Sequence, residues 1–370
     1  MSRRLTASFL CALLLSGSPA AALAQEGMAD PASVWDTSVK RDAVDVAAFG
    51  DGFVLVGGPL RDHQGKVWLS ADGATWSRVA DDEVFDGVAL RRVTAFDDGV
   101  VALGTQGRKL VSFYSPDGAT WTRTTIDRVD KGLELFADAV TDGPAGLIAV
   151  ASVVARDLAG QRFYGSEDGR TWREIEPPSE TSPGMYVSLE ATDDEYLAVA
   201  RPMFTPGTDL YWRSPDAVTW ELFEGPDEGD LYDLAIGVDG TYVGVGALAE
   251  TSLPAIWHAD ELGTWELVYE DSDSKETEER LLTVAVGGPG FLAGGSTSAC
   301  PSQPNRYCPS AAILASADGR EWQALGVEDG VPGPLHDTVP QPIAANDDTT
   351  ANVACHEDRP TEVRMLPTGE

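Results

Sequence analysis

The stretch WLSADGATW, residues 68–76, decides the fold, because the chain keeps returning to it. Six Trp-ended copies occur: SADGATW (70–76), SPDGATW (115–121), SEDGRTW (166–172), SPDAVTW (214–220), HADELGTW (258–265) and SADGREW (316–322). Successive tryptophans stand 45, 51, 48, 45 and 57 residues apart, a period that suits the blades of a propeller. Each copy is entered by a strand-like run such as KVWLS or LVSFYS and left by another such as WSRV or WELF. The motif is therefore a hairpin turn. A second echo precedes it, as in VDVAAFGDGFVLVGG (44–58) and RVTAFDDGVVALGT (92–105), where two apolar runs flank a Gly/Asp turn. One unit is thus four short antiparallel strands, and no helical period competes. Units of this kind repeated radially make an all-β propeller.

The ends of the chain set the expected blade count. Residues 342–355 fit the first two strands of a seventh unit and residues 361–370 its third. The missing fourth strand is expected at the other end, where SVWDTSV (33–39) puts Trp35 in the tryptophan slot. Seven blades, closed by an N-terminal strand that completes the C-terminal blade, is the expectation; six is the alternative. A closure of this kind ties down ends that otherwise fray.

Within the turn each residue has a structural task. The aspartates (Asp72, Asp117, Asp168, Asp216, Asp260, Asp318) are expected to accept from the backbone amides of their own turns. Ser70, Ser115, Ser166, Ser214 and Ser316 add a second tie, and Gly73 supplies positive φ where the hairpin reverses. Trp76, Trp121, Trp172, Trp220, Trp265 and Trp322 are expected to bury their rings between blades. Six near-copies cannot all be one active site.

The motif resembles the Asp-box of sialidases and bacterial neuraminidases, Ser-x-Asp-x-Gly-x-Thr-Trp. Most copies here are one residue shorter between Asp and Thr, and only the fifth keeps the longer spacing, with Gly263 displaced by one. The resemblance covers residues 33–370 and implies the fold. It leaves activity open, since Asp-box propellers include sialidases, other glycosidases, sorting receptors, photosystem assembly factors and inactive proteins. The sialidases' early Arg-Ile-Pro signature is absent, so no catalytic residue is carried over.

Residues 1–24 are expected to be a secretory signal peptide: Arg3 and Arg4, an apolar run over 9–15, then Ala22-Leu23-Ala24 as a cleavage site. Residues 25–32 form a short linker, and the mature chain is expected in the periplasm or outside the cell. No segment approaches the twenty apolar residues of a membrane span. Of 370 residues, 60 are acidic and 26 basic, a net charge of −34, which argues against nucleic acid and anionic membranes as partners. Of the cysteines left after processing, Cys300 and Cys308 flank a Pro-rich loop and are expected to pair, leaving Cys355 over.

In a four-stranded blade the Trp-ended turns share a face with the turns between strands one and two. The opposite face carries the longer loops, so function is expected there. Its connections are acidic: Asp81, Asp82, Glu83 and Asp86; Glu224, Asp227, Glu228 and Asp230; and the run from Glu270 to Glu279. Arg61, Arg108, Arg156, Arg201, Arg306 and Arg359 are scattered over the same loops, where pairing with the acids is the plainer reading. The acids from Asp271 onward lack the glycine and terminal glutamate of an EF-hand, so that match fails. His63, His336 and His356, each beside a carboxylate, could ligate zinc, with solvated surface histidines as the alternative. No cofactor is otherwise expected, with calcium or zinc the ones to test.

Two functions follow from this reading. The first is an exported, non-catalytic propeller presenting its loop-rich acidic face to a protein, glycan or cell-envelope partner. The alternative is a sialidase-like or other glycoside hydrolase.

Overall fold

The computed structural model describes residues 35–36, most of 43–324, and 343–345, 349–354 and 362–367. Within 43–324 the residues outside the description are 59–62, 74, 81–82, 156–157, 179–184, 203–208, 271–279, 288–289 and 298–309. Every regular element among the described residues is a strand.

Six blades are each built from four strands consecutive in the chain, paired antiparallel in sequence order. Blade one is Ala43–Phe49, Gly52–Gly57, Lys66–Ser70 and Ser77–Arg78. The first, innermost strands of the next five are Ala89–Phe96, Glu134–Gly143, Met185–Ala191, Gly229–Ile236 and Arg280–Gly287. A further four-stranded sheet draws on both ends of the chain. Trp35–Asp36 pairs with Glu362–Pro367, which pairs with Thr349–Ala354, which pairs with Ile343–Ala345. In that sheet Trp35 lies opposite Arg364 and Asp36 opposite Val363. Ile343–Ala345 runs beside the innermost strands of blade six and blade one.

The second strand of each blade is nearly all apolar, as in Gly52–Gly57 and Gly99–Gln106, because it is covered on both faces. In four of the six blades the outermost strand is only two or three residues long, and it is exposed in Ser77–Arg78 and Glu221–Leu222. Short, charged outer strands suit edges that must not recruit another chain. The core is accordingly a set of clusters between blades. Val54, Val56 and Val67 of blade one pack with Val93, Val100, Phe113 and Trp121 of blade two. The equivalent clusters join blades two and three, three and four, four and five, and five and six.

The Trp-ended turns hold these clusters in place. In blade two the Asp117 carboxylate accepts from the amides of Ala119 (2.9 Å) and Thr120 (2.7 Å) and from the Ser115 hydroxyl (3.0 Å). Trp121 Nε1 donates to the Gly118 carbonyl at 2.8 Å, and its ring packs edge-on to Phe85. Asp72, Asp168, Asp216 and Asp318 bind their own turns in the same way. Gly118 has φ +70°, and a Cβ there would stand 2.8 Å from Leu69 of the preceding blade. That close approach, with the left-handed backbone, explains the glycine. In blade four Ala217 takes the left-handed position at φ 60° and buries its methyl.

The fifth turn departs from the expected role. Asp260 reaches forward to Arg320 of blade six, at 2.8 Å, and Thr264 bonds instead to the Glu261 carbonyl. The extra residue between Asp260 and Thr264 carries the carboxylate away from its own amides. Trp265 Nε1 consequently donates to the Glu224 carbonyl, 41 residues upstream.

Candidate functional site

The innermost strands surround a central cavity of about 410 Å³. Its wall repeats a simple pattern. On each strand a polar residue facing the cavity immediately precedes a buried apolar one: Asp45 before Val46, Arg92 before Val93, Asp138 before Ala139. Ser188 before Leu189, Asp233 before Leu234 and Thr283 before Val284 continue it. The alternation of a strand turns consecutive side chains to opposite faces, and all of these residues except Leu234 line the cavity wall. Five of the six innermost strands also carry a register shift in this region, such as that between Ala43 and Asp45. Bulges of this kind re-aim side chains and sharpen the local twist.

The polar residues bond from blade to blade. Asp45 accepts from the Val93 amide of blade two at 2.8 Å and from its neighbour Val46 at 3.0 Å. Arg92 Nε donates to the Asp138 carbonyl of blade three. Asp138 in turn accepts from the Ser152 hydroxyl at 2.5 Å. Ser188 of blade four donates to Asp233 of blade five at 2.8 Å, and Asp233 accepts from the Val284 amide of blade six at 3.0 Å. Buried carboxylates need such donors, since an unpaired one is costly.

Charge is unevenly spread around the wall. Arg92 lies near Asp45 and Asp138 and partly offsets what burial does to them. Burial still pushes both carboxyls up to about 6. Asp233 is also raised by burial, against the bonds it accepts. Glu190 is the exception. It lines the cavity half-buried, and its side chain has no hydrogen bond among the described residues. Burial first, and then the charges of Asp233 and Asp45, push it well above the usual carboxylate range.

A second acid lies nearby, beside blades four and five. Asp209 is raised to about 7 by burial and by Asp230, with Arg201 opposing, and one of its oxygens is buried without a partner. The Arg201 guanidinium stacks 4.0 Å over the ring of Tyr232, which lines the cavity. Arg108, by contrast, is spent on the Val129 carbonyl at 3.2 Å.

The residues singled out from sequence fall elsewhere. His63 sits in an exposed turn with φ 46°. His336, His356, Cys300 and Cys308 lie outside the described residues, as do Arg61, Arg156, Arg306 and Arg359. Among the described residues no group of three His, Cys, Asp or Glu side chains is placed to hold a metal ion. The fourth histidine, His258, is buried in the fifth turn with Nδ1 unpartnered, and burial lowers its pKa. The face opposite the long loops is acidic too, since Asp51, Asp97, Asp98, Asp142, Asp193 and Asp239 stand in or beside the turns between first and second strands. Sequence reading missed the cavity acids. Their clearest signal was a polar residue set in an otherwise apolar run, as Asp45 in VDVAAF.

No protein-family model matches the chain, and no curated protein matches it. Solved structures do. A structure of YCF48 bound to D1 peptide is 16% identical with a TM-score of 0.55, over 91% of this chain and 96% of that one. The fold is a β-propeller. An oligogalacturonate lyase from Vibrio parahaemolyticus is 11% identical with a TM-score of 0.57, over 90% of this propeller and 92% of its own chain. The GH74 xyloglucanase from Xanthomonas campestris is 13% identical at 0.54, and this propeller spans 52% of it. Likeness at this identity extends to the fold alone.

Proposed function

We propose that this chain is an exported binding propeller that receives its ligand in the central cavity, entered from the loop-rich face. The observation that carries the reading is the cavity itself, walled by polar residues from every one of the six innermost strands, with the Glu190 side chain unbonded among the described residues. A wall held blade to blade by hydrogen bonds is pre-organised, and pre-organisation is what a binding site needs. In this reading the sheet that unites both ends of the chain is a seventh blade closing the ring, and the Trp-ended turns are Asp-box staples. A protein partner offering an extended segment is the occupant class we favour. The structure of YCF48 with a peptide supports it by fold analogy. Export rests on the leader-like residues 1–24.

One observation favours a second reading, a glycoside hydrolase. A carboxylic acid raised by burial above its ordinary range, sharing a cavity with other carboxylates, is the equipment such enzymes use. One experiment separates the two. Mature protein is given fluorogenic glycosides, sialosides included, with and without calcium or zinc, and its melting temperature is followed against peptides and oligosaccharides. The binding reading expects no turnover, and at least one compound that stabilises the wild type but not Ala47→Trp, which plugs the cavity. Turnover of any glycoside establishes the hydrolase instead. Equal stabilisation of the plugged variant moves the site off the cavity.

A further inference from the structure

We infer that the cavity is built to take a ligand's ammonium or guanidinium group, held between Glu190, Asp45 and Asp233. The inference rests on the reading of the cavity as the ligand site and names the chemistry that site selects.

Three observations carry it. The acids facing the cavity are Asp45 from blade one, Asp138 from blade three, Glu190 from blade four and Asp233 from blade five. Among the described residues the lining holds a single basic side chain, Arg92 from blade two, while blade six contributes Thr283. Arg92 is engaged on the side of blades one to three, by the Asp138 and Arg91 carbonyls and the charges of Asp45 and Asp138. On the side of blades four and five the described charged residues of the lining are acids, with Arg201 stacked on the ring of Tyr232. Second, Asp45 and Asp233 are already anchored by backbone amides, so their orientation is fixed before a ligand arrives. Glu190 has no such anchor among the described residues, and its carboxyl feels the charges of both Asp233 and Asp45. Third, among the described residues no three His, Cys, Asp or Glu side chains are placed to hold a metal ion, whereas an organic cation brings several donors that separate acids can accept.

The chemistry balances simply. A cation paired with Glu190 favours its ionised form, so whatever proton free Glu190 holds passes to solvent on binding. Affinity therefore rises with pH through the range in which free Glu190 holds its proton. The other groups that face it (Asp45, Asp138, Asp233 and Arg92) set where that range falls.

The test is calorimetric titration of the mature chain with blocked glycyl-lysyl-glycine and with its norleucine counterpart, which keeps the shape and loses the charge. At pH 7.5 the lysine peptide is expected to bind at least about tenfold more tightly than the norleucine peptide, a difference of about 1.4 kcal/mol. Titrations in buffers of different ionisation heat should report proton release, and Glu190→Gln should abolish that release and weaken binding about tenfold or more. Equal binding of the two peptides, or no binding of either, overturns the inference without relying on any variant. Repeating the titration on Ala47→Trp then locates the failure. If the plugged variant loses an uncharged ligand, the cavity reading stands and only the cationic class is wrong. If it binds as the wild type does, the cavity reading falls as well.

Discussion

Asp117 and Asp45 are the same side chain put to opposite uses. Asp117 sits exposed on a turn, where the amides of Thr120 and Ala119 hold its carboxylate down to about 2. Asp45 also accepts two backbone amides, yet burial in the channel wall lifts it to about 6. Amide bonding is common to both, so burial decides the sign. The turn makes an anion that stabilises the fold, and the channel makes an acid that the fold keeps poised.

The two regions should consequently respond to pH in opposite directions. A carboxyl lowered on folding contributes stability above its unfolded value near 4, and that contribution is lost as pH falls toward 2. A carboxyl raised on folding binds its proton more tightly when folded. The folded state then gains as pH falls from above 6 toward 4, and loses that gain on the way back up. Stability should therefore peak in mildly acidic solution.

Substitutions can break this comparison, and the largest effect is expected in the turns. Trp121→Ala removes a ring buried between blades one and two and should cost about 3–5 kcal/mol in urea unfolding. A cost below 1 kcal/mol would remove the ring from its role as a staple. Gly118→Ala should cost about 1–3 kcal/mol, since it combines left-handed backbone with a clash against Leu69. The reverse change, Ala217→Gly, should stay within about 1 kcal/mol of wild type, because relieved backbone strain and lost methyl packing oppose each other. Asp117→Ala should cost about 1 kcal/mol at pH 7 and little at pH 2, where the wild-type carboxylate is itself being protonated. The smallest stability change belongs to the channel. Glu190→Gln, measured by thermal melting from pH 5 to 8, should leave the melting temperature unchanged or higher at pH 8. It should also flatten the decline toward alkaline pH. A steeper decline would place the charge at Glu190 among favourable partners and contradict the channel's electrostatics.

The turns were legible in the sequence because one short pattern recurs and each of its residues acts locally. Ser115, Asp117 and Trp121 find their partners within six residues. The fifth turn shows where such reading stops. One inserted residue redirected Asp260 to Arg320, 60 positions away, and local spacing carries no trace of that partner. The channel was illegible for the same reason. Asp45 and Val93 are 48 residues apart and Ser188 and Asp233 are 45, so only the radial arrangement of blades brings them together. Attention went instead to histidines and arginines on loops, where chemistry-bearing residue types are conspicuous. The acids in the first strands looked like ordinary polar positions of an alternating pattern, and nothing in a single strand reveals that four of them share one cavity.

The account turns on burial raising Glu190 above the ordinary carboxylate range, and infrared spectroscopy reads its proton directly. The measurement is the carbonyl stretch of protonated carboxyl groups in mature protein as pH is raised beyond the range of ordinary carboxylates, compared with Glu190→Gln. A band that outlasts those of the exposed carboxyls in the wild type and is missing from the variant is the predicted result. A wild-type spectrum with no such band, or one that the substitution leaves intact, contradicts the claim that the channel stores an acid.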